Sequence, residues 1–456
     1  MDAYSDVPVN AEWDADFDRA FPLLSQLVDL RTADQLQPLG PAAVYTTSVV
    51  LWLLVYQRMH RQTSLEETVQ HLLQVAPQIC PDNRRIREQT LSASTGAYSG
   101  ARRRLTVETA EWFAQTVSQS ILATTQPSLG GRRVYILDGT TITLAPVKTL
   151  QKLYPPASNQ HGEGTWPVAL LLVAHELESG AAMLPEVGAM YGPQAVSEVE
   201  LARTCLQKLP ANAAIMTDSG FGIFSVAWAA FSNAHPFLMR MTAQRYLALR
   251  RQSTLQKQGD GWATYSHTWI PSPHDRRATP GLPPGAALEV QLHELLRPGA
   301  EPLYFVSNLP DDCPTLTSLY YKRMDVETDI RNLKIVLELD RIPARSPEMF
   351  QKELLTSIVA YNLVVQFRRQ AAELAKVPPR RLGFTGVWST IRMFILTASP
   401  ATPAEWRERY RQALHYAIQT KLPNRPGRSY PREAYSRAPK STHFPKRKPP
   451  PDPPIK

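Results

Sequence analysis

Residues Val134–Thr141 read VYILDGTT, and Ala213–Gly220 read AAIMTDSG. In each, a short apolar run leads to an aspartate. Such a run, bounded by polar and glycine positions, reads as a strand buried on both faces. Open α/β sheets place their ligands at the carboxyl ends of strands. Asp138 and Asp218 are therefore expected at strand ends, side by side if the two strands are neighbours. Adjacent carboxylates repel and raise each other's pKa. A divalent cation removes that cost, and Mg²⁺ prefers hard oxygen donors completed by water and phosphate.

Outward from these strings, Thr165–Ala174 is a further strand and Gly180–Met190 a segment that pairs with it. Val196–Lys208 reads as a helix, as does the stretch near Ile223–Ala230. Strands mixed with helices in this way indicate a three-layer α/β domain. Between about 235 and 312 the texture is β-rich: LMRM, WATYSHTWI, LEVQL and LYFVSNL are separated by Gly and Pro. One long helix is predicted from about Thr317 to Leu339, stopped near Pro343, and a second over Ser346–Ala371.

Upstream, residues 1–128 read as helical, with Thr63-Ser64-Leu65-Glu66 resembling a capping box. Tyr98, Arg102, Arg103, Arg104 and Leu105 fall in another helix, whose three arginines either touch phosphate or form a solvated face. Downstream, residues 421–456 are rich in Pro, Arg and Lys and nearly free of aliphatics, a composition that does not fold alone. The expected organisation is thus a helical region at 1–128, an α/β domain at 129–420 with its β-rich insertion, and a basic tail at 421–456.

Of the net charge of +9, the tail carries ten Lys/Arg against Glu433 and Asp452. A charge excess held in an arm points to nucleic acid rather than to diffuse polyanion binding. Cys80, Cys205 and Cys313 are far apart, which excludes a Cys-x-x-Cys metal site and fits a reducing cytosol. The apolar run within Ala42–Tyr56 is short for a membrane span and reads as a buried helix. The acidic start MDAYSDVPVN is unlike a signal peptide. No membrane partner is expected.

The third acidic group comes from the long helix. Tyr320, Arg323, Glu327 and Lys334 lie at offsets that an ideal helix gathers within a wedge of roughly 60°. A phenol, a guanidinium, a carboxylate and an ammonium on one face suit metal and phosphate chemistry, with Arg323 and Lys334 on phosphate. Glu338 and Asp340 are rival carboxylates without that company, and Asp325 lies nearly opposite Glu327. Gly220-x-Gly222-x-x-Ser225 is a poor dinucleotide loop, because Asp218 would repel a pyrophosphate. No phosphate-loop string for ATP occurs. His161 and His175 lack companions at ligand spacing.

The spacing Tyr320-x2-Arg323-x3-Glu327-x6-Lys334 resembles the signature of DDE transposases of the insertion-sequence-four type. Met324 and Ile330 stand where that family often has aromatics. The resemblance covers about residues 90–370. It implies that the helical region at 1–128 binds DNA and that 129–420 is an RNase H-like catalytic domain interrupted by a β-rich insertion, with Asp138, Asp218 and Glu327 as catalytic metal ligands. It implies two Mg²⁺ ions, for which Mn²⁺ substitutes, and DNA partners: the element's terminal inverted repeats and target DNA. It also implies a homodimer in the synaptic complex and a bacterial, cytoplasmic and nucleoid-associated location. Trp262 and Trp269 then become base-stacking candidates, with cross-strand packing as the alternative. Two other functions share these features: an element-derived DNA-binding protein without catalysis, and a metal-dependent DNA nuclease that cuts without joining.

Overall fold

The computed structural model describes residues 22–38, 43–60, 63–80, 84–159, 162–336, 342–397 and 403–423. The chain divides into two compact units, Met1–Lys421 and Leu422–Lys456. Of the second, only residues 422–423 are described, so the expected basic arm lies almost wholly outside the described residues. Glu338, Asp340, His161 and the side chain of Asp325 also lie outside them.

Seven described helices precede the first strand. Among them α3 (Thr47–Met59) is the apolar run of the sequence, buried on nearly all sides. Among the described residues no helix is long and apolar enough to cross a membrane. Ahead of α4 (Leu65–Ile79) the capping box is formed by Ser64 and Glu67, one residue later than expected: Glu67 N donates to Ser64 Oγ at 3.0 Å and Ser64 N to Glu67 Oε2 at 2.7 Å. Both Ser64 and Thr63 suit an N-cap chemically, and position in the turn decides between them.

The sheet is one continuous surface. Its inner strands are β1 (Val134–Thr143), β3 (Gly162–Glu176), β4 (Glu186–Ala189), β5 (Ala214–Thr217) and β6 (Phe237–Arg240). β3 runs antiparallel to both β1 and β4, while β1, β5 and β6 are mutually parallel in that order. Then β10 (Ala300–Ser307), β9 (Leu288–Arg297), β8 (Trp262–Trp269) and β7 (Thr254–Gly259) extend it antiparallel, and β2 (Pro156–Asn159) pairs with β3 at the far side. The β-rich stretch of the sequence therefore prolongs the main sheet through the β6–β10 ladder, and β6 itself belongs to the parallel core.

Strand side chains alternate between faces, and the buried residues separate accordingly. Tyr135, Leu137, Ile215, Phe237 and Met239 join the large core shared with α3, α7 (Val107–Ala123) and α15 (Pro347–Leu374). Val134, Ile136, Ala214, Met216 and Leu238 face a second cluster, closed by Leu316, Leu319 and Tyr320 of α13 (Cys313–Tyr321) and by Ile330 of α14 (Met324–Arg331).

Two expectations are corrected. β1 does not end at Leu137: it pairs with β3 from Tyr135 to Thr143, so Asp138 stands mid-strand. Only its parallel pairing with β5 stops at Ile136. The single helix expected from Thr317 to Leu339 is broken. Short bonds from Lys322 N to Leu319 O (3.1 Å) and Arg323 N to Tyr320 O (2.9 Å) tighten the end of α13. After α14 the backbone widens into a π-helix over Asn332–Val336. The 60° wedge presupposes one regular helix and does not survive these two changes of pitch.

Candidate active site

β1 and β5 bring the two aspartates level. Their register pairs Val134 with Ala214 and Ile136 with Met216. Two residues beyond Ile136 and Met216 are Asp138, on the same face of β1 as Ile136, and Asp218, just past the end of β5 and near enough to act on Asp138 as a like charge. Both are half-buried. Asp138 Oδ1 accepts from Gly139 N at 2.9 Å, and Asp218 Oδ1 from Gly220 N at 2.8 Å. Burial pushes the Asp138 carboxyl up to about 6. The Gly139 N–H opposes this, Asp218 and Glu198 add to it as like charges, and Arg323 opposes it.

Because α13 and α14 cover this same face, their polar residues meet the aspartates from above. Tyr320 is buried against Phe305, ring centroids 4.8 Å apart. Arg323, at the junction of the two helices, has a side chain only 12% exposed. It pairs with Glu327 Oε1 at 2.9 Å. Burial disfavours its charge, but Tyr320, Glu327 and Asp218 together outweigh that and hold the guanidinium above its ordinary pKa. Arg323 thus lies between the carboxylate of Glu327 and those of the sheet. Lys334, in the π-helix, donates from Nζ to Thr140 Oγ1 of β1 at 3.1 Å.

The fold therefore gathers Asp138, Asp218, Tyr320, Arg323 and Lys334 around the same end of β1 and β5. Glu327 is on the helix above, its side chain 48% exposed and turned to Arg323. Among the described residues no three His, Cys, Asp or Glu side chains converge as a metal-holding group. The donor set nevertheless suits a divalent cation: Asp138 and Asp218 are hard oxygen donors whose repulsion a cation relieves.

Several sequence candidates lie elsewhere. Arg102 is inside the protein, its guanidinium paired with Glu353 and 12% exposed, so an internal carboxylate takes the charge expected to meet DNA. Arg104 is exposed. Trp269 is 5% exposed and packs edge-on to Phe224 at 5.4 Å, so the packing alternative describes it and no ring face is left for a base. Trp262 is half-buried and lies over Gly259, where an added Cβ would fall 2.4 Å from the indole nitrogen.

Sequence reasoning missed Glu198 and Arg240. Glu198 opens α9 (Glu198–Lys208) and packs over Gly139 so closely that a Cβ there would fall 2.5 Å from its Oε1. Arg240 ends β6 and faces the Tyr320 hydroxyl. No motif marks either; only strand order brings them in.

Residues 129–363, a little over half of the chain, match the family model described as the transposase DDE domain. No curated protein matches. Among solved structures, the cryo-EM structure of a piggyBac transposase synaptic complex with hairpin DNA matches over 91% of this chain and 86% of that one. The identity is 11% and the TM-score 0.41, a likeness too distant to carry an argument.

Proposed function

Since this chain belongs to the transposase DDE-domain family, we propose that it cuts the ends of an insertion sequence and joins them to target DNA. The placement that carries this reading is the level pair Asp138 and Asp218 beneath Arg323. Strand order supports an RNase H-like core: three antiparallel strands followed by two parallel ones. The Tyr320–Lys334 spacing supports the insertion-sequence-four type.

In this reading Asp138, Asp218 and Glu327 would hold two divalent ions, Mg²⁺ or Mn²⁺. Such a pair activates the attacking oxygen and stabilises the leaving one. The rest of the work falls to the chain. Arg323 and Lys334 hold the phosphate oxygens and offset their charge, and Tyr320 fixes the guanidinium between them. A phosphate on Arg323 competes with Glu327 and releases that carboxylate toward the aspartates. In the first step water attacks the phosphodiester, the P–O3′ bond breaks and a 3′ hydroxyl is freed. In the second, that hydroxyl attacks a target phosphate, one P–O bond forming as another breaks. Two ends held together call for two copies of the chain on DNA, in a bacterial cytoplasm.

One observation favours a second reading, a DNA-binding protein without catalysis: Glu327 is engaged by Arg323 rather than by the aspartates. Purified protein with Mg²⁺ and a plasmid carrying the element's inverted repeats distinguishes the cases. Strand-joined product from wild type, abolished by Asp218→Ala, is the expected outcome. End binding without cutting supports the second reading, and cutting without joining a nuclease. Cleavage that survives Asp218→Ala refutes the assignment.

A further inference from the structure

The described side chains of α14 give it few anchors in the rest of the protein. It is eight residues long, well short of the length at which a helix holds itself together in water. Met324, Glu327, Thr328 and Arg331 are exposed. Among its described side chains only Asp329 and Ile330 are buried. Ile330 gives an apolar contact, which resists rotation weakly. Asp329 is 1% exposed and held directionally: Oδ2 accepts from Arg380 Nη2, and Oδ1 is 4.0 Å from Arg368 Nη2.

Both partners are themselves fixed. Arg380, in a 3₁₀ turn (Pro379–Arg381), also donates from Nη1 to Leu177 O. Arg368 belongs to α15 and is 3% exposed. The turn after β3 closes the cage. Gly180 has φ +76°, and a Cβ there would come within 3.1 Å of Arg368 Nη2, 3.3 Å of Arg380 Nη2 and 3.3 Å of Asp329 Oδ2. Its carbonyl accepts from Tyr361 Oη of α15 at 3.0 Å. Three segments therefore converge on one carboxylate of α14. Buried ion pairs contribute little net stability compared with apolar residues of the same size, whereas a directional contact can fix one geometry.

We propose that Asp329 is a positioning residue: its lock onto Arg380 and Arg368 sets the rotation of α14, and through it the direction of Glu327 and Arg323. Two residues along a helix is about 200° of rotation. With Asp329 pinned to the back, Glu327 is turned to the opposite side. The inference rests on the functional reading above, yet its physical content, the fixing of α14, is measurable without catalysis.

The test uses the full chain and Asp329→Asn, which keeps the shape and removes the charge. Hydrogen exchange of residues 323–336 is expected to accelerate while β1 and β5 stay protected. With end DNA and Mg²⁺, the cleavage rate is expected to fall about 10–100-fold, the range for partners that orient metal ligands, with end-DNA affinity within about twofold of wild type. Arg380→Lys reaches the same carboxylate from another segment and should give the same local pattern more mildly, so misfolding of one variant does not end the test. Glu353→Gln, at a buried ion pair remote from α14, should lower the melting temperature without changing exchange at 323–336. Unchanged exchange at 323–336 in both Asp329→Asn and Arg380→Lys overturns the proposal. So does exchange that rises uniformly over the whole chain, which would make Asp329 a general stability residue. If wild type never cleaves, the functional reading fails, and the exchange data still decide the positioning role.

Discussion

Two buried acids in this protein keep opposite company. Glu353, in α15, is 4% exposed and meets two arginines: Arg58 at 2.8 Å from α3, and Arg102 from α6 (Gly96–Arg104). Asp138, in β1, meets Asp218 and Glu198 as like charges, with Arg323 as the one cation among its strongest neighbours. The first arrangement offsets its charge internally and ties the N-terminal helices to α15. The second is left short of positive charge at a half-buried position facing the residues of α13 and α14. A protein that needed only stability at β1 would have an apolar residue there. Groups whose surroundings disfavour their charge in this way cluster at functional sites.

That contrast can be broken by mutation. The largest effect is expected at the balanced cluster. Glu353→Ala removes the carboxylate that two largely buried guanidinium groups share and should cost about 3–5 kcal/mol of unfolding free energy. Asp218→Asn removes one of two repelling carboxylates and should leave stability unchanged or raise it. Urea titration of both, without divalent metal, checks this; equal losses would erase the distinction.

The next effect is a pH slope. The Asp138 carboxyl is raised from 3.8 to about 6 chiefly by burial. An acid whose folded pKa lies above its unfolded one favours the native state when protonated. Its contribution is whole below about 3.8 and is lost as pH rises through about 6. Two units set a ceiling of about 3 kcal/mol, and solvent screening at a half-buried group brings the expected loss nearer 1 kcal/mol. In chelator, wild type should therefore lose stability relative to Asp138→Asn between pH 4 and 7; parallel curves would show that this carboxylate is not under strain.

The smallest effect separates neighbours on one helix. Arg104→Ala, at an exposed position, should change stability by less than about 0.5 kcal/mol. If Arg104 touches phosphate, the salt dependence of DNA binding should weaken by about one unit of slope. Arg102→Ala should instead destabilise the fold, because it removes a partner of Glu353. An unchanged salt slope in Arg104→Ala would place the DNA path elsewhere.

Much of the architecture was legible in short stretches. VYIL, AAIM and the run around Leu170 are strands because consecutive apolar residues fit a sheet covered on both faces, and the helix read over Ser346–Ala371 is α15, with Ser346 as its cap. The residue types of the site were legible for a similar reason: each aspartate stands within two residues of the end of an apolar run, and Tyr320, Arg323, Glu327 and Lys334 recur at helical spacing. Glu198, Arg240 and Asp329 left no such trace, since each acquires its meaning from a partner far along the chain.

By itself, then, the sequence determined which segments are strands and helices and which side chains bear the chemistry, because apolar periodicity and capping act over a few residues. Tertiary structure decided the β1–β5 register that sets Asp138 level with Asp218, the change of pitch that separates Tyr320 from Glu327, and the assignment of Arg102 to the interior. Those depend on strand pairing and on charges brought together by folding, and no local pattern carries information about a partner many turns of chain away.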